Sequence, residues 1–190
     1  GTGTSTRALN KYYPDAECTA LDFAYPMLQQ LKQHSGNNQK SQIVCADALN
    51  LPFCDNRFDL VFSSLTFQWC NNLARVFNEV RRVLAPQGLF LFATLGPDTL
   101  FELRNSWAEV DDSMHVNQFL DMHHIGDALL HAGFADPVVD VERIVLIQKN
   151  VDGLLRDLKA LGANTVVGER RHGLTGRGKL QAMRRAYEQF

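Results

Sequence analysis

The sequence lacks the features that mark membrane proteins and polyanion-binding proteins. No apolar run approaches the roughly 20 residues that a membrane-spanning helix needs, and no signal-peptide pattern is present. The formal net charge is only -2, so no basic field is available to hold a nucleic acid or an anionic membrane surface. We therefore expect no nucleic-acid partner and no membrane association.

Cysteine is scarce, and none of the four forms a C-x-x-C pair or stands at zinc-ligand spacing from a histidine. Their single positions among apolar residues predict small buried side chains in a reducing compartment, and hence a cytoplasmic protein. No His, Cys, Asp or Glu cluster has metal-ligand spacing, so we predict no metal site. The cysteines are Cys18, Cys45, Cys54 and Cys70.

The first half of the chain alternates strand-like and helix-like segments. At 190 residues and 45% hydrophobic, the chain is long enough for one α/β domain. Alternation at this spacing predicts a Rossmann-like, doubly wound and mostly parallel sheet with helices on both faces. The predicted strands are Glu17–Phe23, Gln42–Asp47, Phe58–Ser64 and Leu89–Leu95; the predicted helices are 4–12, Tyr25–His34 and Asn72–Leu84, the last ended by Ala85–Gly88.

Beyond Gly96 the pattern becomes mainly helical. Helices are predicted at about 98–109, 122–132 and 151–161 and over the last dozen residues, with one strand at Pro137–Lys149. We expect a single domain over residues 1–190. It would comprise an alternating half (1–96), a helical segment (97–136), and a C-terminal strand and helices (137–190).

Three features at the ends of predicted strands indicate an adenosine site. Gly1 and Gly3 precede a helix, where glycine allows close backbone approach to a ligand and the helix offers free N–H donors. Asp22 follows Gly3 by 19 residues, close to the ~20-residue offset at which a carboxylate meets ribose hydroxyls. Asp47 ends the next strand and could meet an adenine amino group. The alternative is that both aspartates only cap turns. An adenosine site is consistent both with enzymes that use NAD and with enzymes that use S-adenosylmethionine.

Five segments resemble the class I S-adenosylmethionine methyltransferases: "GTG", "ALDFAYPML", "CADALNLPF", "FDLVFSSLTFQWC" and "LARVFNEVRRVLAPQGLFLFATLG". In their glycine motif, Gly1 and Gly3 match the last two glycines. The resemblance implies S-adenosylmethionine as cofactor and S-adenosylhomocysteine as product. It also implies a central strand before Gly1 and a last strand after Phe190, so we expect both to be absent from this sequence. The implied cofactor-binding residues are Gly1, Gly3, Asp22, Phe23, Asp47, Ala48, Leu49, Ser64 and Leu65.

The second half resembles the malonyl-[acyl-carrier protein] O-methyltransferases of biotin synthesis (the BioC family). The resemblance rests on "LGPDTLFELRNSW", "HVNQFLDMHHIGDALLHAGFADPVVDVE" and "LLRDLKALGA". It implies methylation of the free carboxylate of a malonyl thioester, carried by acyl carrier protein or coenzyme A, at the start of pimeloyl synthesis. The element "TL-x-ELR" also occurs in respiratory-complex assembly factors. A non-methylating assembly factor and a methyltransferase on another small acid therefore remain alternatives.

Methyl transfer to a carboxylate needs no general base, because the carboxylate is already deprotonated at neutral pH. We therefore assign no catalytic base and look for a cation that holds the substrate. Arg104 is the first candidate, because its guanidinium can pair with a carboxylate or a thioester carbonyl; the alternative is a solvent-facing or ion-paired arginine. Further candidates for contact with the substrate are His115, Asn117, His123, His124 and Trp69. The alternatives are that the adjacent histidines merely start a helix, and that Trp69, like Phe67, packs in the hydrophobic core.

Cations are concentrated near the end of the chain. An acidic carrier protein would favour a basic docking surface, whereas the alternative is an ordinary solvated helix face. Arg81, Arg82 and Arg156 are further cations that a carrier could meet. We expect a monomer. The six cations of the last 21 residues are Arg170, Arg171, Arg177, Lys179, Arg184 and Arg185.

Overall fold

The computed structural model describes residues 1–35, 41–163 and 175–190. These residues divide into two compact units. The first comprises Gly1–Thr94 with Ala128–Asp136, and the second comprises Leu95–Asp127 with Pro137–Phe190. The single domain expected over residues 1–190 stays a prediction.

The first unit carries two pairs of parallel strands. β1 pairs with β2, with Asp22 opposite Cys45, and β3 pairs with β4, with Ser64 opposite Ala93. Among the described residues the two pairs form separate two-stranded sheets. Because each pair is parallel, the carboxyl ends of its strands lie at one edge. The elements are α1 (Thr4–Tyr12), β1 (Thr19–Asp22), α2 (Tyr25–Ser35), β2 (Gln42–Cys45), β3 (Phe58–Ser64), a 3₁₀ helix (Phe67–Trp69), α3 (Leu73–Val83) and β4 (Leu84–Ala93).

The start of β4 corrects the sequence prediction. The strand begins at Leu84, directly after α3, and so includes Ala85–Gly88, which we had predicted to separate helix from strand. The register shifts between Phe58 and Leu60 on the partner strand, and Gln87 has a left-handed φ of 66°. The proline and glycine of Ala85–Gly88 therefore lie at an irregularity inside the strand. From the sequence alone, the same residues indicate a turn.

Aromatic rings fill the core of the first unit. Phe77 of α3 is fully buried, and its ring centroid lies 6.1 Å from that of Phe67 and 5.5 Å from that of Phe92. Phe90 stacks on Phe92 at 4.7 Å. The apolar repeat of α3 thus packs against one face of β4, as helical periodicity predicts. The buried residues of α3 are Val76, Phe77, Val80 and Val83.

The second unit is mainly helical. Its core brings together Leu103 and Trp107 of α4, Val116, Val151 at the start of α6, and Met183 of α7. The helices after Leu95 are α4 (Phe101–Ala108), α5 (Met122–His131), α6 (Val151–Ala160) and α7 (Arg177–Tyr187). Their bounds lie within three residues of the predicted ones. The last residues of α5, from Ala128 onward, belong to the first unit.

The strand predicted at Pro137–Lys149 is wrong: this segment has no regular secondary structure. The apolar side chains that suggested a strand are exposed, Val138 to 94% and Ile147 to 93%. A β-strand needs a ladder partner, and no described segment pairs with this one. The apolar pattern alone could not supply that partner.

The exposure of the cysteines and the lengths of the helices bear on two further predictions. Cys45 and Cys54 are exposed and Cys18 and Cys70 half-buried, so the prediction of four buried cysteines is wrong. Cys45 is the last residue of β2, and Cys54 lies in the loop that follows it. In the described parts of the chain, no helix is both long enough and apolar enough to cross a membrane.

Candidate functional site

Gly3 occupies a position that only glycine fits. It is buried, has a left-handed φ of 86°, and precedes the first residue of α1. A Cβ placed on it would lie 2.7 Å from Cγ of Leu31 and 3.3 Å from Nη1 of Arg7. Since glycine has no side chain to cap the helix, the backbone N–H groups of the first turn remain available to a ligand.

Asp22 lies beside the glycine segment. Its Oδ1 accepts a hydrogen bond from the Ala24 backbone N–H at 2.7 Å, and its Oδ2 contacts the Gly1 nitrogen. Phe23, the next residue, is 77% exposed. The structure therefore brings together the predicted cofactor residues Gly1, Gly3, Asp22 and Phe23, with a carboxylate and an exposed ring at the end of β1.

Asp47 follows the adjacent strand, β2. Its Oδ1 accepts a hydrogen bond from the Leu49 backbone N–H at 2.9 Å, so the turn-capping alternative is realised for one oxygen. Its Oδ2 makes no hydrogen bond to another described residue. The Ala46 N–H donates to the Asp22 carbonyl at 3.2 Å, which joins the ends of the two strands. Two carboxylates thus stand at neighbouring strand ends, with Ala48 and Leu49 beside the second.

Ser64 and Leu65 lie at the carboxyl end of the other strand pair. Leu65 is exposed, has a left-handed φ of 51°, and donates its backbone N–H to the Ala93 carbonyl at 2.9 Å. Such a backbone is strained for a leucine, and strain of this kind clusters at ligand sites. Burial, with the Asp47 charge adding to it, raises the pKa of the Cys70 thiol.

These groups match the chemistry of an adenosine cofactor. Carboxylates accept hydrogen bonds from ribose hydroxyls and from the adenine amino group, exposed Phe23 and half-buried Leu49 offer apolar surface, and Gly3 leaves room for a close approach. Trp69 is 37% exposed, whereas Phe67 is buried in the aromatic core. No group of three His, Cys, Asp or Glu side chains in the described ranges could hold a metal ion.

Arg104, the first substrate candidate, belongs to α4 in the second unit. Its Nη2 donates to the Pro97 carbonyl at 2.5 Å, and the side chain is half-buried. No described carboxylate lies within ion-pair distance of it, so the ion-pair alternative is not realised there. The guanidinium has five N–H donors, and the Pro97 bond uses one of them.

His115 is held inside the second unit. Its ring stacks on Trp107 with centroids 3.7 Å apart and an angle of 9°, and its Nε2 lies 2.8 Å from Oδ1 of Asp111. Lys179 donates to Oδ2 of Asp111 at 2.6 Å. This hydrogen bond from Lys179, supported by His115 and the Ser113 N–H, holds the pKa of Asp111 well below its usual range. Sequence reasoning missed Asp111, although its four-residue spacing from His115 was a usable signal.

His123 and His124 begin α5, as the alternative interpretation expected, and both are exposed. Oδ1 of Asp121 accepts from the His123 backbone N–H at 2.8 Å and lies 2.7 Å from its Nδ1. These contacts lower the pKa of Asp121. Asn117 is half-buried. A substrate role for these residues stays a prediction.

The basic C-terminal cations divide into paired and exposed groups. Lys179 pairs with Asp111, and Arg184 pairs with Asp152 at 2.7 Å. Arg177 and Arg185 are exposed and have no carboxylate partner in the described part of the chain. Arg170 and Arg171, also predicted for this surface, lie outside the described residues.

Comparison with protein families gives a match to the methyltransferase domain over residues 1–92. Two solved structures share the fold. An S-adenosylmethionine-dependent methyltransferase from Mesorhizobium loti is 22% identical, with a TM-score of 0.57 and 71% of each chain covered. The YcgJ protein of Bacillus subtilis is 21% identical, with a TM-score of 0.58, 71% of this chain and 58% of that chain covered. The fold class predicted from the sequence is confirmed.

Curated relatives match the whole chain. A malonyl-[acyl-carrier protein] O-methyltransferase of Gallionella capsiferriformans is 46% identical over 100% of this chain and 68% of that protein. The protein of the same name from Laribacter hongkongensis is 47% identical over 100% of this chain and 67% of that protein. A biotin biosynthesis bifunctional protein of Saccharophagus degradans is 41% identical over 100% of this chain and 35% of that protein. The chain thus spans about two thirds of the length of the first two relatives.

Proposed function

This chain belongs to the malonyl-[acyl-carrier protein] O-methyltransferases, and we propose that it transfers a methyl group from S-adenosylmethionine to the free carboxylate of a malonyl thioester. The observation that carries the proposal is the 46% identity over the whole chain, which includes the substrate-side segment as well as the cofactor half. The product is a methyl ester that enters the biotin pathway. The NAD oxidoreductase alternative has no support in these relatives.

Residues at the carboxyl ends of β1, β2 and β3 would bind the cofactor. Asp22 would hold the ribose hydroxyls, and Asp47 would accept the adenine amino group with its unbonded Oδ2. Phe23 and Leu49 supply apolar surface, while Gly3 and the first turn of α1 face the amino-acid part. The remaining proposed cofactor residues are Gly1, Ala48, Ser64 and Leu65. S-adenosylmethionine supplies an electrophilic methyl group on a sulfonium sulfur.

The protein's chemical task is to position the acceptor and exclude water. The malonyl carboxylate is deprotonated at neutral pH, so no side chain has to remove a proton. Arg104 is proposed to hold this carboxylate, because its guanidinium retains N–H donors and lacks a described acidic partner. His115 is packed against Trp107 and Asp111, so we expect its contribution to act through the placement of α4.

The proposal extends to the carrier and the location. Arg177 and Arg185 are the exposed cations of α7 that an acidic carrier protein could meet. We propose that the protein acts as a monomer in the cytoplasm, without nucleic acid or membrane partners, since the low net charge offers nothing to hold either polyanion.

Genetic rescue tests the function. The gene should restore growth without biotin to a bacterial strain that lacks its own malonyl methyltransferase, and the Arg104→Met variant should fail to do so. Lys159→Met, which removes an exposed cation of α6 that has no assigned role, is the control and should rescue fully. Failure of the native gene to rescue, with the protein present at normal abundance, would favour the assembly-factor alternative.

A further inference from the structure

Three polar side chains of α3 hold the loop that follows β2. Arg75, Glu79 and Arg82 stand at positions that share one side of a helix, and all three hydrogen-bond the backbone of residues 46–57. We call these side chains the α3 clamp and residues 46–57 the cofactor loop. The loop contains Asp47, which the proposed function assigns to the adenine.

The first contact of the α3 clamp lies one peptide away from the Asp47 carboxylate. Nε of Arg75 donates to the Leu49 carbonyl at 2.8 Å, and the Leu49 N–H donates to Oδ1 of Asp47 at 2.9 Å. The Asn50 N–H donates to the Asp47 carbonyl at 3.1 Å and closes the turn. The Leu49 carbonyl and the Asn50 N–H belong to the same peptide, so Arg75 and the Asp47 carbonyl hold that peptide from opposite sides. Arg75 therefore braces the Asp47–Asn50 turn, which also contains the Leu49 N–H that holds the carboxylate.

The rest of the α3 clamp anchors the next residues of the loop. Glu79 accepts the Leu51 N–H at 2.7 Å, and Arg82 donates to the Leu51 carbonyl at 2.9 Å and to the Phe53 carbonyl at 2.7 Å. Arg82 also forms two 2.8 Å hydrogen bonds to Glu79, through Nε and Nη2. This paired arrangement orders both side chains, so the loop is attached to a rigid helix at several points.

The neighbouring arginine shows that this pattern is specific to one side of the helix. Nε of Arg81 donates to the Gly133 carbonyl at 3.3 Å, away from the cofactor loop. Arg75 and Arg81 are both exposed arginines of α3, and each donates one Nε hydrogen bond to a backbone carbonyl. They differ in which segment that bond holds.

We propose that Arg75 is a positioning residue for the cofactor, which braces the Asp47–Asn50 turn and so orients the Asp47 carboxylate before the cofactor binds. The inference rests on the proposed function, since it assumes that Asp47 meets the adenosine. Arg75 itself does not take part in methyl transfer. Its loss should weaken cofactor binding and leave the chemical step unchanged, because preorganisation lowers the cost of binding.

Calorimetry with S-adenosylhomocysteine on the intact protein tests this role. Arg75→Met keeps the aliphatic stem and removes the donor, so the Kd should rise about fivefold, the factor that one net hydrogen bond contributes. The KM for S-adenosylmethionine should rise by a similar factor, with kcat at saturating cofactor and the KM for malonyl-carrier protein unchanged. Arg75→Lys, which can still donate to the Leu49 carbonyl, should recover part of the affinity.

Arg81→Met is the matched control and should leave the Kd for S-adenosylhomocysteine unchanged. Equal weakening by both substitutions, in step with a lower melting temperature, would mean that Arg75 only stabilises the fold and would overturn the inference. Native affinity in Arg75→Met would overturn it as well, while the proposed function would stand. If the native protein itself does not bind S-adenosylhomocysteine, the proposed function fails, and this inference fails with it.

Discussion

Replacing Gly3 with alanine should destabilise the first unit strongly, because two independent penalties meet at this residue. The left-handed φ of 86° costs an L-residue about 1 kcal/mol. The new methyl group would stand 2.7 Å from Cγ of Leu31, a side chain that is only 2% exposed and has little room to withdraw. Overpacking of this kind costs roughly 1–3 kcal/mol, so the sum is about 2–4 kcal/mol.

Urea unfolding followed by far-ultraviolet circular dichroism measures this loss. With an m-value of about 2 kcal/mol per molar urea, the midpoint should fall by roughly 1–2 M. Gly96→Ala is the control, because a Cβ on Gly96 meets nothing within 4 Å and Gly96 does not have a left-handed φ. Its midpoint should equal that of the native protein. Equal midpoints for native protein and Gly3→Ala would refute the reasoning.

A double-mutant cycle separates the two penalties. Leu31→Ala removes the atom that the new methyl group overlaps, although the cavity it leaves lowers stability on its own. In that background, Gly3→Ala should cost only the backbone part, about 1 kcal/mol. An unchanged cost in both backgrounds would mean that the contact with Leu31 contributes nothing.

Three further predictions concern the aromatic core, the Asp111 carboxylate and the carrier surface. Phe77→Ala should lower the free energy of unfolding by roughly 3–5 kcal/mol, because the ring is fully buried. Leu91→Ala, on the exposed face of β4, should lower it far less. Similar losses for the two variants would contradict the assigned core. The folded-state pKa of Asp111 lies below its ordinary value, so its carboxylate stabilises the protein fully above about pH 5 and loses that contribution as pH falls further. Asp111→Asn should therefore flatten the fall in stability from about pH 5 to about pH 2, whereas Asp112→Asn should leave that fall unchanged. Replacing both Arg177 and Arg185 with glutamate should raise the KM for malonyl-carrier protein and leave the KM for malonyl-coenzyme A unchanged. An equal rise for both substrates would argue against carrier docking at α7.

Local periodicity predicted the helices and β3 well. The bounds of β3 agree with the prediction, and those of α1 do so within its approximate limits, because each segment carries its own signal in the spacing of apolar residues. Pro137–Lys149 carries a similar signal and has no strand, because pairing depends on a partner elsewhere in the chain. The early start of β4 was missed because proline and glycine inside an irregular strand resemble a turn.

In the candidate site, too, features with a local sequence signal were predictable and features that depend on distant contacts were not. The strand ends that carry Asp22 and Asp47 were predictable, since parallel strands end at one edge and each aspartate follows an apolar run. The α3 clamp was not, because contacts between a helix and a loop more than 20 residues away leave no local pattern. His115 looked like a pocket residue from its polarity alone, and only the stack on Trp107 and the Asp111 contact reveal its surroundings.

Transfer of an isotopically labelled methyl group tests the central claim most directly. The intact protein would be mixed with methyl-labelled S-adenosylmethionine and, separately, with malonyl-carrier protein, malonyl-coenzyme A and free dicarboxylic acids. Mass spectrometry should find the label as a base-labile methyl ester on the malonyl group of the thioester substrates. Label found only in the free acids, or in no acceptor at all, would contradict the account.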